Sequence, residues 1–297
     1  MSEAGARDMP TLRVDMPDPQ TMPVVFASPH SGSAYPRELL EGSRLDRMAL
    51  RRSEDSFVDE LFADAPRHGA PLIAALFPRA FIDPNREPYE LDPAMFAHDL
   101  PAYVNISSPR VAAGLGTVPR VVSSGEEIYG RKLSFAEVEE RLDRFYRPYH
   151  AALRRLVAET RQRFALCLLI DCHSMPSAGW PGEPETGRDM PDVVLGDCHG
   201  TSCDGWISAR VEQMLRQLGF RVSRNAPYSG GFVTQHYGRP SEQVHALQIE
   251  INRALYMDES RLVRSAGFDP LREKMARLIA SLGRLLAAGA SPAKAAE

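Results

Sequence analysis

Four clusters of polar side chains follow, or end, apolar runs of the sequence. They are Ser28–Gly32 after VVFA, Asp83–Glu87 after RAFI, Asp171–Ser174 after LCLLI, and Glu250 within IEIN. In an open α/β sheet the ligand crevice lies beyond the carboxyl ends of the strands. Four such clusters from distant parts of the chain therefore predict one shared site, although each cluster alone would be weak evidence.

Two histidines of these clusters, His30 and His173, are candidate metal ligands. Two imidazoles and one carboxylate, with a fourth position open, form the ligand set of a hydrolytic zinc site. The carboxylate is expected on the helical segment after His30, where Glu54 and Asp55 are both available. A lone histidine in a loop, or a lone acid in this segment, would more simply be a hydrogen-bonding or solvated side chain. The combination of the three favours a metal site.

Other reactive side chains carry weaker signals. His199 follows a second Asp-Cys pair and competes with His173, but the residues after it are typical of the turn before a helix. His236, in TQHYGRP, is a candidate for contacting a substrate. A thiolate nucleophile at Cys172 is disfavoured, because adjacent side chains of an extended strand point apart. The remaining histidines are interpreted as structural or surface residues: His68, His98, His150 and His245.

Short apolar runs alternate with helical patterns along the chain, which is typical of βαβ organisation. Several runs are apolar without alternation, as expected for strands that are covered on both faces. The candidate strands are Pro23–Ala27, Pro71–Phe77, Leu166–Ile170, Val193–Leu195 and Ala246–Ile251.

Amphipathic spacing predicts the helices that surround these strands. One apolar stripe extends from Leu45 to Phe62, with a break near Arg52. A capping box at Ser134 opens a long helix, which Pro148 should kink or split. Two more helical patterns run from Trp206 to Leu218, closed by Gly219, and from Leu271 to Leu286.

The segment at about 83–133 is rich in Pro, Gly, Ser and Asn, and its apolar residues are not periodic. A loop region of this length in a compact domain is usually functional, so we expect it to cover a substrate. The chain is predicted to have an N-terminal tail at 1–22, with a loop or disordered arm to about residue 20. One domain follows at 23–290, and a C-terminal tail at 291–297.

The composition is that of an ordinary globular chain: of 297 residues, 43% are hydrophobic and 25% are charged. The formal net charge of −4 gives no chain-wide attraction to nucleic acid or to anionic membranes.

No apolar run approaches the roughly 20 residues of a membrane helix, and the N-terminus lacks the apolar centre of a signal peptide, so a cytoplasmic location is expected. Disulfides are not expected there, and the C-x4-C spacings differ from those of a zinc ribbon. The sequence also lacks a G-x-S-x-G elbow and a phosphate-binding or dinucleotide-binding glycine loop.

Nine stretches, taken together and in order, resemble the N-formylglutamate amidohydrolase family, which acts last in one route of histidine degradation. They cover about residues 24–259, which is most of the chain, and as an ordered set they are highly specific. The stretches are SPHSGSAYP, SEDSFVDELF, FIDPNREPYEL, GLGTVPRV, PYHAAL, LLIDCHSMPS, VVLGDCHGTSCD, NAPYSGGFVTQHYGRP and ALQIEINRALYMDE.

The resemblance implies a zinc carboxypeptidase-like fold, in which a mixed, largely parallel central sheet is flanked by helices. It also implies hydrolysis of N-formyl-L-glutamate to formate and L-glutamate. The implied zinc ligands are His30, Asp55 and His173, and Glu250 is the implied general base. Asn85 and Arg86 would grip a substrate carboxylate.

Two features depart from the related patterns. The acid lies 25 residues after His30, so a carboxypeptidase-type H-x-x-E is absent. Pro84 stands in an Asp-Pro-Asn-Arg sequence where Asp-Leu-Asn-Arg is more usual. Neither departure removes a proposed side chain, but both leave the local geometry open.

In the implied mechanism, Glu250 takes a proton from a zinc-activated water and returns it to the leaving amine. Zinc and a nearby arginine would stabilise the oxyanion. An arginine side chain is well suited to bind a substrate carboxylate. Arg86 is the first candidate for this role, and Arg120, in GTVPR, is the second. A surface salt bridge is the simpler interpretation of Arg120.

Two alternatives remain at this point. One is a zinc amidohydrolase or peptidase that acts on another N-acyl amino acid or a small peptide. The other is a binding or regulatory protein that has kept the fold and lost catalysis, which the joint presence of His30, Asp55, His173 and Glu250 argues against. The expected partner is a small N-acyl amino acid, not nucleic acid or a membrane. The sequence leaves the oligomeric state open.

Overall fold

The computed structural model describes residues 9–178 and 190–289, in which a seven-stranded sheet forms the centre of the fold. Its strands are β1 (Leu12–Asp15), β2 (Val24–Ser28), β3 (Leu72–Ala75), β4 (Cys167–Met175), β5 (Val193–Gly196), β6 (Val222–Arg224) and β7 (Val244–Asn252). Across the sheet the order is β1-β3-β2-β4-β7-β5-β6. The pairs β1–β3 and β5–β7 are antiparallel and the other neighbours are parallel. The predicted mixed, largely parallel sheet is therefore confirmed.

Helices form at each of the predicted amphipathic patterns and also at Arg37–Gly42, Pro109–Ala112 and Phe232–Tyr237, which no pattern predicted. They are α1 (Arg37–Gly42), α2 (Arg47–Arg51), α3 (Val58–Leu61), α4 (Pro109–Ala112), α5 (Phe135–Arg141), α6 (Arg147–Phe164), α7 (Gly205–Gln217), α8 (Phe232–Tyr237) and α9 (Phe268–Gly289). A two-stranded ribbon, β8 (Met257–Asp258) with β9 (Val263–Arg264), precedes α9.

Two predicted helix signals have the expected effect. The Ser134 hydroxyl accepts a hydrogen bond from the backbone of Glu137, and the Glu137 carboxylate accepts one from the backbone of Ser134, which completes the capping box. Pro148 lies in the first turn of α6, directly after a π-helical segment at Leu142–Tyr146, so the long helix is interrupted there. The stripe from Leu45 to Phe62 forms two short helices, α2 and α3, and the first ends at Arg51.

Alternate residues of the central strands fill two cores, one on each face of the sheet. On β2, Val24 and Phe26 pack into the core shared with α3, α7 and α9, whereas Val25 and Ala27 pack into the core shared with α5 and α6. Every residue of β4 and β7 is buried. Burial on both faces explains why the strands read as continuous apolar runs.

The expectation of a loop or disordered arm over the first 20 residues is wrong for Leu12–Asp15, which forms the edge strand β1 against β3. Leu12 and Val14 pack against the core, while Arg13 pairs with Asp59 at 3.0 Å. The alternation of apolar and polar residues in β1 is short and is surrounded by prolines and charged residues. The sequence pattern therefore does not predict this strand. The strand β6 was not predicted either, because it has only three residues.

Residues 83–133 lie over the sheet face that carries α5 and α6, with Val104, Val118 and Ile128 buried in its core. Their regular structure is limited to α4 and a 3-10 turn at Pro93–Met95.

The tail predicted at 291–297 lies outside the described residues. None of the helices in the described ranges has the length and apolar character that a membrane crossing requires.

Candidate active site

Three separate elements bring the predicted metal ligands together. His30 lies in the loop after β2, and His173 lies within β4 at the centre of the sheet. Asp55 lies in the turn before α3, where its backbone N–H donates to the His30 carbonyl oxygen at 3.0 Å. This bond fixes the turn against the end of β2, so Asp55 reaches both histidines despite its distance along the sequence.

The three side chains converge on one point. Asp55 Oδ2 lies 2.9 Å from Nδ1 of His173 and 3.4 Å from Nδ1 of His30. One candidate ligand atom from each residue lies within 4.8 Å of the other two, and all three residues are buried. Among the described residues, Nδ1 of His30 has no hydrogen-bond partner, although a buried polar atom normally has one. Two ring nitrogens, one of them unpartnered, and one carboxylate oxygen suit a divalent metal.

A buried carboxylate holds each histidine from behind. Asp83 Oδ1 lies 2.7 Å from Nε2 of His30, and Asp171 Oδ2 lies 3.0 Å from Nε2 of His173. Such carboxylates fix the tautomer and the ring orientation of metal-binding histidines, leaving Nδ1 for the metal. Burial alone would raise the pKa of Asp83, but Arg79 and His30 hold that pKa well below its usual range.

No role was predicted for Asp83 or Asp171. Asp171 could have been found, because it lies two positions before His173 in a strand and must share its face of the sheet. Asp83 begins the Asp-Pro-Asn-Arg cluster, but its pairing with His30 spans 53 positions and has no local signal.

The structure distinguishes between the two acids that the residue pattern left open. The Glu54 carboxylate accepts hydrogen bonds from Tyr35 at 2.7 Å and Ser56 at 2.8 Å, and it pairs with Arg51 at 3.1 Å. Its oxygens are therefore occupied away from the histidines. Asp55 supplies the carboxylate that faces them.

Glu250 lies beside these ligands on the neighbouring strand. In the register of β4 and β7 it pairs with His173, and Gln248 Nε2 donates to its Oε1 at 2.8 Å. Burial raises the pKa of Glu250 to about 7; His173 opposes this rise and Asp55 adds to it. A carboxyl group with a pKa near neutrality can both accept and donate a proton at physiological pH.

A cleft opens beside the candidate ligands, and charged side chains line much of it. Its acidic residues are Asp55, Asp83 and Glu250. Its basic residues are Arg79, Arg86 and Arg253. Ser53, Ser123 and Tyr228 add hydroxyl groups. Three arginines around a carboxyl group and a candidate metal site suit a small anionic ligand.

Comparisons with known proteins identify the family of the chain. The sequence profile described as N-formylglutamate amidohydrolase matches residues 22–257. The chain belongs to this family. A protein named N-formylglutamate deformylase from Pseudomonas aeruginosa is 30% identical over 244 residues, which cover 80% of this chain and 83% of that protein. Its namesake from Pseudomonas putida is 28% identical over 243 residues, with the same coverage.

A solved structure from the same family is similar over nearly the whole chain. The crystal structure of N-formylglutamate amidohydrolase from Ralstonia eutropha JMP134 is 37% identical, with a TM-score of 0.87. The match covers 94% of this chain and 99% of that one. Membership of the family, which the nine sequence stretches predicted, is therefore confirmed.

The structure separates the two residues that the family resemblance assigned to a substrate carboxylate. Arg86 lines the cleft. The Asn85 amide nitrogen donates to Asp171 Oδ2 at 3.4 Å, and its oxygen accepts from the Val233 backbone at 2.7 Å. Since Asp171 accepts from Nε2 of His173, Asn85 supports this histidine through Asp171. These contacts give Asn85 a positioning role, and it also lines a cavity beside Arg86; its contact with a substrate stays a prediction.

Two further substrate candidates lie outside the cleft. Arg120 Nε pairs with Asp92 at 2.7 Å and its Nη1 with Glu127 at 3.4 Å, and it lines a separate surface cavity. The surface salt bridge is thus the better interpretation of Arg120. His236 is exposed, stacks on Phe232, and lines a neighbouring cavity that Arg86 also borders.

The weaker candidates also have clear positions. His199 is exposed in the 3-10 turn before α7, away from the ligand cluster. Cys172 is buried in the core on the opposite face of the sheet from His173, where burial raises the pKa of its thiol well above the usual value. The expectation that adjacent strand residues point apart holds for this pair, and a thiolate role for Cys172 does not fit.

Proposed function

We propose that this protein is a metal-dependent amidohydrolase that cleaves N-formyl-L-glutamate to formate and L-glutamate. The observation that carries the proposal is the convergence of His30, Asp55 and His173 at a cleft lined by Glu250 and three arginines. The names of the two Pseudomonas relatives, both called N-formylglutamate deformylase, support this substrate.

Zinc is the proposed metal, because two imidazole nitrogens and one carboxylate with an open position form the ligand set of hydrolytic zinc sites. Bound there, zinc would supply Lewis acidity, lowering the pKa of a coordinated water to about 7 and polarising the formyl carbonyl. The chain's own contribution is orientation. Asp83 and Asp171 hold Nε2 of the two histidines, so both Nδ1 atoms face Asp55.

Glu250 is the proposed general base and, later in the reaction, the general acid. Its carboxylate takes the proton of the attacking water and gives it to the nitrogen of the leaving glutamate. Gln248 holds one oxygen of this carboxylate, which orients the other for proton transfer. The pKa of about 7 suits both directions of transfer near neutral pH.

A panel of substrates tests the proposed function. The zinc-loaded protein is assayed with N-formyl, N-acetyl and N-succinyl derivatives of glutamate, glutamine, aspartate and leucine. We expect the highest kcat/KM for N-formyl-L-glutamate, loss of turnover after chelation, and recovery on adding zinc. Faster turnover of another N-acyl amino acid would assign a different substrate. Stoichiometric zinc without any amide turnover would indicate a binding protein.

A further inference from the structure

Arg253 joins Asp55 to the end of the central strand β4. It follows β7 directly, in a 3-10 turn at Arg253–Leu255 that the Asn252 side chain caps. This turn places Arg253 three positions after Glu250, beyond the carboxyl end of β7, where 8% of its side chain is exposed. Its partner Asp55 lies 198 positions away along the chain, so the contact has no local signal in the sequence.

The guanidinium of Arg253 is used almost completely by the protein itself. Its Nη2 donates to Asp55 Oδ1 at 3.0 Å, and its Nε donates to the Ser174 hydroxyl at 3.2 Å. Longer contacts of 3.4 and 3.5 Å join Nη1 to the Arg52 carbonyl oxygen and Nη2 to the Ser174 carbonyl oxygen. Since a guanidinium has five N–H donors, these four contacts leave little of Arg253 for a ligand. Arg253 therefore acts on the site through Asp55.

The two oxygens of Asp55 have separate partners. Oδ2 faces the histidines, at 2.9 Å from Nδ1 of His173 and 3.4 Å from Nδ1 of His30. Oδ1 faces Arg253. A hydrogen bond between two ionised groups is stronger than a neutral one, and leaving a buried charge without its partner is costly. A metal held by Oδ2 and the two histidines would thus have to take Oδ1 from Arg253 before it could bind both oxygens.

Arg253 also fixes the turn that carries Asp55. The Arg52 carbonyl oxygen belongs to the same turn, and Ser174 follows His173 in β4, so one side chain ties the turn to the strand of a candidate ligand. The backbone bond from Asp55 to His30 ties the turn to the loop after β2. The direction of the Asp55 carboxylate is therefore set by contacts within the protein.

The number of oxygens that Asp55 supplies matters for catalysis. Catalytic zinc sites have three protein ligands and keep one position for water or substrate. A carboxylate can bind a metal through one oxygen or through both. A second oxygen from Asp55 would compete for the open position and donate more charge to the metal. The metal would then polarise a bound water or a carbonyl less strongly.

We propose that Arg253 is a positioning residue that limits Asp55 to one metal-binding oxygen, Oδ2, and so keeps a coordination position free for the attacking water. The inference rests on the metal dependence of the proposed function. It goes beyond that function, because it assigns a role to a side chain that is neither a metal ligand nor a substrate contact.

Replacing zinc by cobalt(II) tests the proposal without any turnover. Cobalt(II) absorbs visible light more strongly with four ligands than with five or six. Arg253→Met frees Oδ1 of Asp55, so its cobalt form should absorb more weakly than that of wild type. X-ray absorption of the zinc-loaded variant should show an added oxygen neighbour of the metal. An unchanged cobalt spectrum together with an unchanged number of neighbours would overturn the proposal.

Steady-state kinetics of the zinc-loaded proteins give a second readout. Arg253→Met should lower kcat for N-formyl-L-glutamate by about 10–100-fold, the typical effect of removing a group that holds a metal ligand. KM should stay near the wild-type value, because the donors of Arg253 are used within the protein, and one zinc per chain should remain bound. A higher KM with an unchanged kcat would show that Arg253 contacts the substrate instead. Loss of the zinc would show that Asp55 needs Arg253 in order to bind at all, also against the proposal.

Two further substitutions separate this role from a general effect on folding. Arg253→Lys keeps a charged donor for Oδ1 of Asp55, so it should restore the cobalt absorption and most of kcat. Arg253→Gln keeps a polar end for Ser174 but is too short to reach Asp55, so it should behave like Arg253→Met and replaces that variant if methionine prevents folding. Wild-type absorption of Arg253→Gln would overturn the proposal, since reduced stability alone would not change the ligands of the folded protein.

Arg37→Met is the matched control. It removes an arginine from an exposed pair, in which Arg37 Nε lies 2.6 Å from Glu41 Oε1. Its cobalt spectrum and its kinetics should equal those of wild type. A weaker spectrum in this control as well would mean that the spectrum does not report on Asp55.

The outcomes also separate this inference from the proposed function. If Arg253→Met changes the cobalt spectrum as expected but wild type hydrolyses no N-acyl amino acid, the proposed function fails and the role of Arg253 stands. If zinc-loaded wild type deformylates N-formyl-L-glutamate while the spectrum of Arg253→Met equals that of wild type, the inference fails and the proposed function stands.

Discussion

His173 and Glu250 lie side by side on the neighbouring parallel strands β4 and β7, paired in the register of the sheet. Adjacent strands are about 4.8 Å apart, so the backbone ladder itself sets the spacing between the candidate ligand and the candidate base. Because side chains alternate along a strand, Asp171 and Gln248 share this face and hold the two groups. His173 and Glu250 are thus positioned by the central strands of the sheet.

Replacing Glu250 by glutamine tests the proposed proton transfer. Glutamine keeps the shape of the side chain but cannot take a proton, so turnover should fall by about 10²–10⁴-fold. Zinc content, measured by atomic absorption, should stay at the wild-type level, because Glu250 is not among the candidate ligands. The exposed Glu242→Gln variant is the matched control and should keep wild-type kinetics. Near-normal turnover of Glu250→Gln would place the base elsewhere.

The adjacent acids Glu54 and Asp55 allow a paired test of the metal site. Asp55→Asn replaces the carboxylate that faces both histidines, so the purified variant should lose stoichiometric zinc on dialysis. Glu54→Gln should keep its zinc. It should lose stability, by about 1–3 kcal/mol, because the Glu54 carboxylate has buried partners in Tyr35 and Ser56. If Asp55→Asn binds zinc like wild type, the ligand assignment is wrong.

The carboxylate behind His30 should influence metal affinity without touching the metal. Asp83→Asn weakens the acceptor for the His30 Nε2–H, and loss of such a support typically reduces metal affinity by about 10–100-fold. Competition with a chromogenic chelator would measure this change. Asp143→Asn, which alters an exposed ion pair with Arg147, serves as the control. Equal zinc affinities of Asp83→Asn and the control would mean that His30 needs no support from Asp83.

The sequence predicted the central strands and the candidate ligands because each depends on local signals. Strands covered on both faces read as apolar runs, and polar clusters at their ends indicated where His30 and His173 would lie. The edge strand β1 lacked this signal, since only one of its faces is covered and it spans four residues. Membership of the family was also predictable, since it depends on an ordered set of motifs.

The remaining features of the site depend on contacts between distant positions. Asn85 accepts a hydrogen bond from Val233, 148 positions away, and donates one to Asp171, and no local pattern predicts either contact. Arg79 precedes Asp83 by four positions, a spacing that brings side chains together on a helix. The segment forms a turn instead, so the sequence pattern did not predict that Arg79 pairs with Asp83.

A buried histidine outside the cleft should make the protein sensitive to acid. Nε2 of His150 donates to the Pro84 carbonyl oxygen at 2.9 Å, and its Nδ1 lies 2.9 Å from the Tyr237 hydroxyl. Burial lowers the pKa of His150 from 6.5 to about 4; the bond to Pro84 opposes this shift, and His236 adds to it. The neutral ring therefore supports the backbone between Asp83 and Asn85.

Between about pH 6.5 and pH 4 the unfolded chain binds a proton at His150 that the folded protein does not bind, so stability should fall as the pH decreases through this window. The contribution is fully present above pH 6.5, and its loss at pH 4 should reach about 3 kcal/mol. Urea unfolding at several pH values would measure it. His150→Gln keeps a donor for Pro84 but cannot titrate, so its free energy of unfolding should depend less on pH across the window. His98→Gln, at an exposed position, should follow the wild-type curve. If His150→Gln and wild type lose stability in parallel, the acid sensitivity arises from other groups.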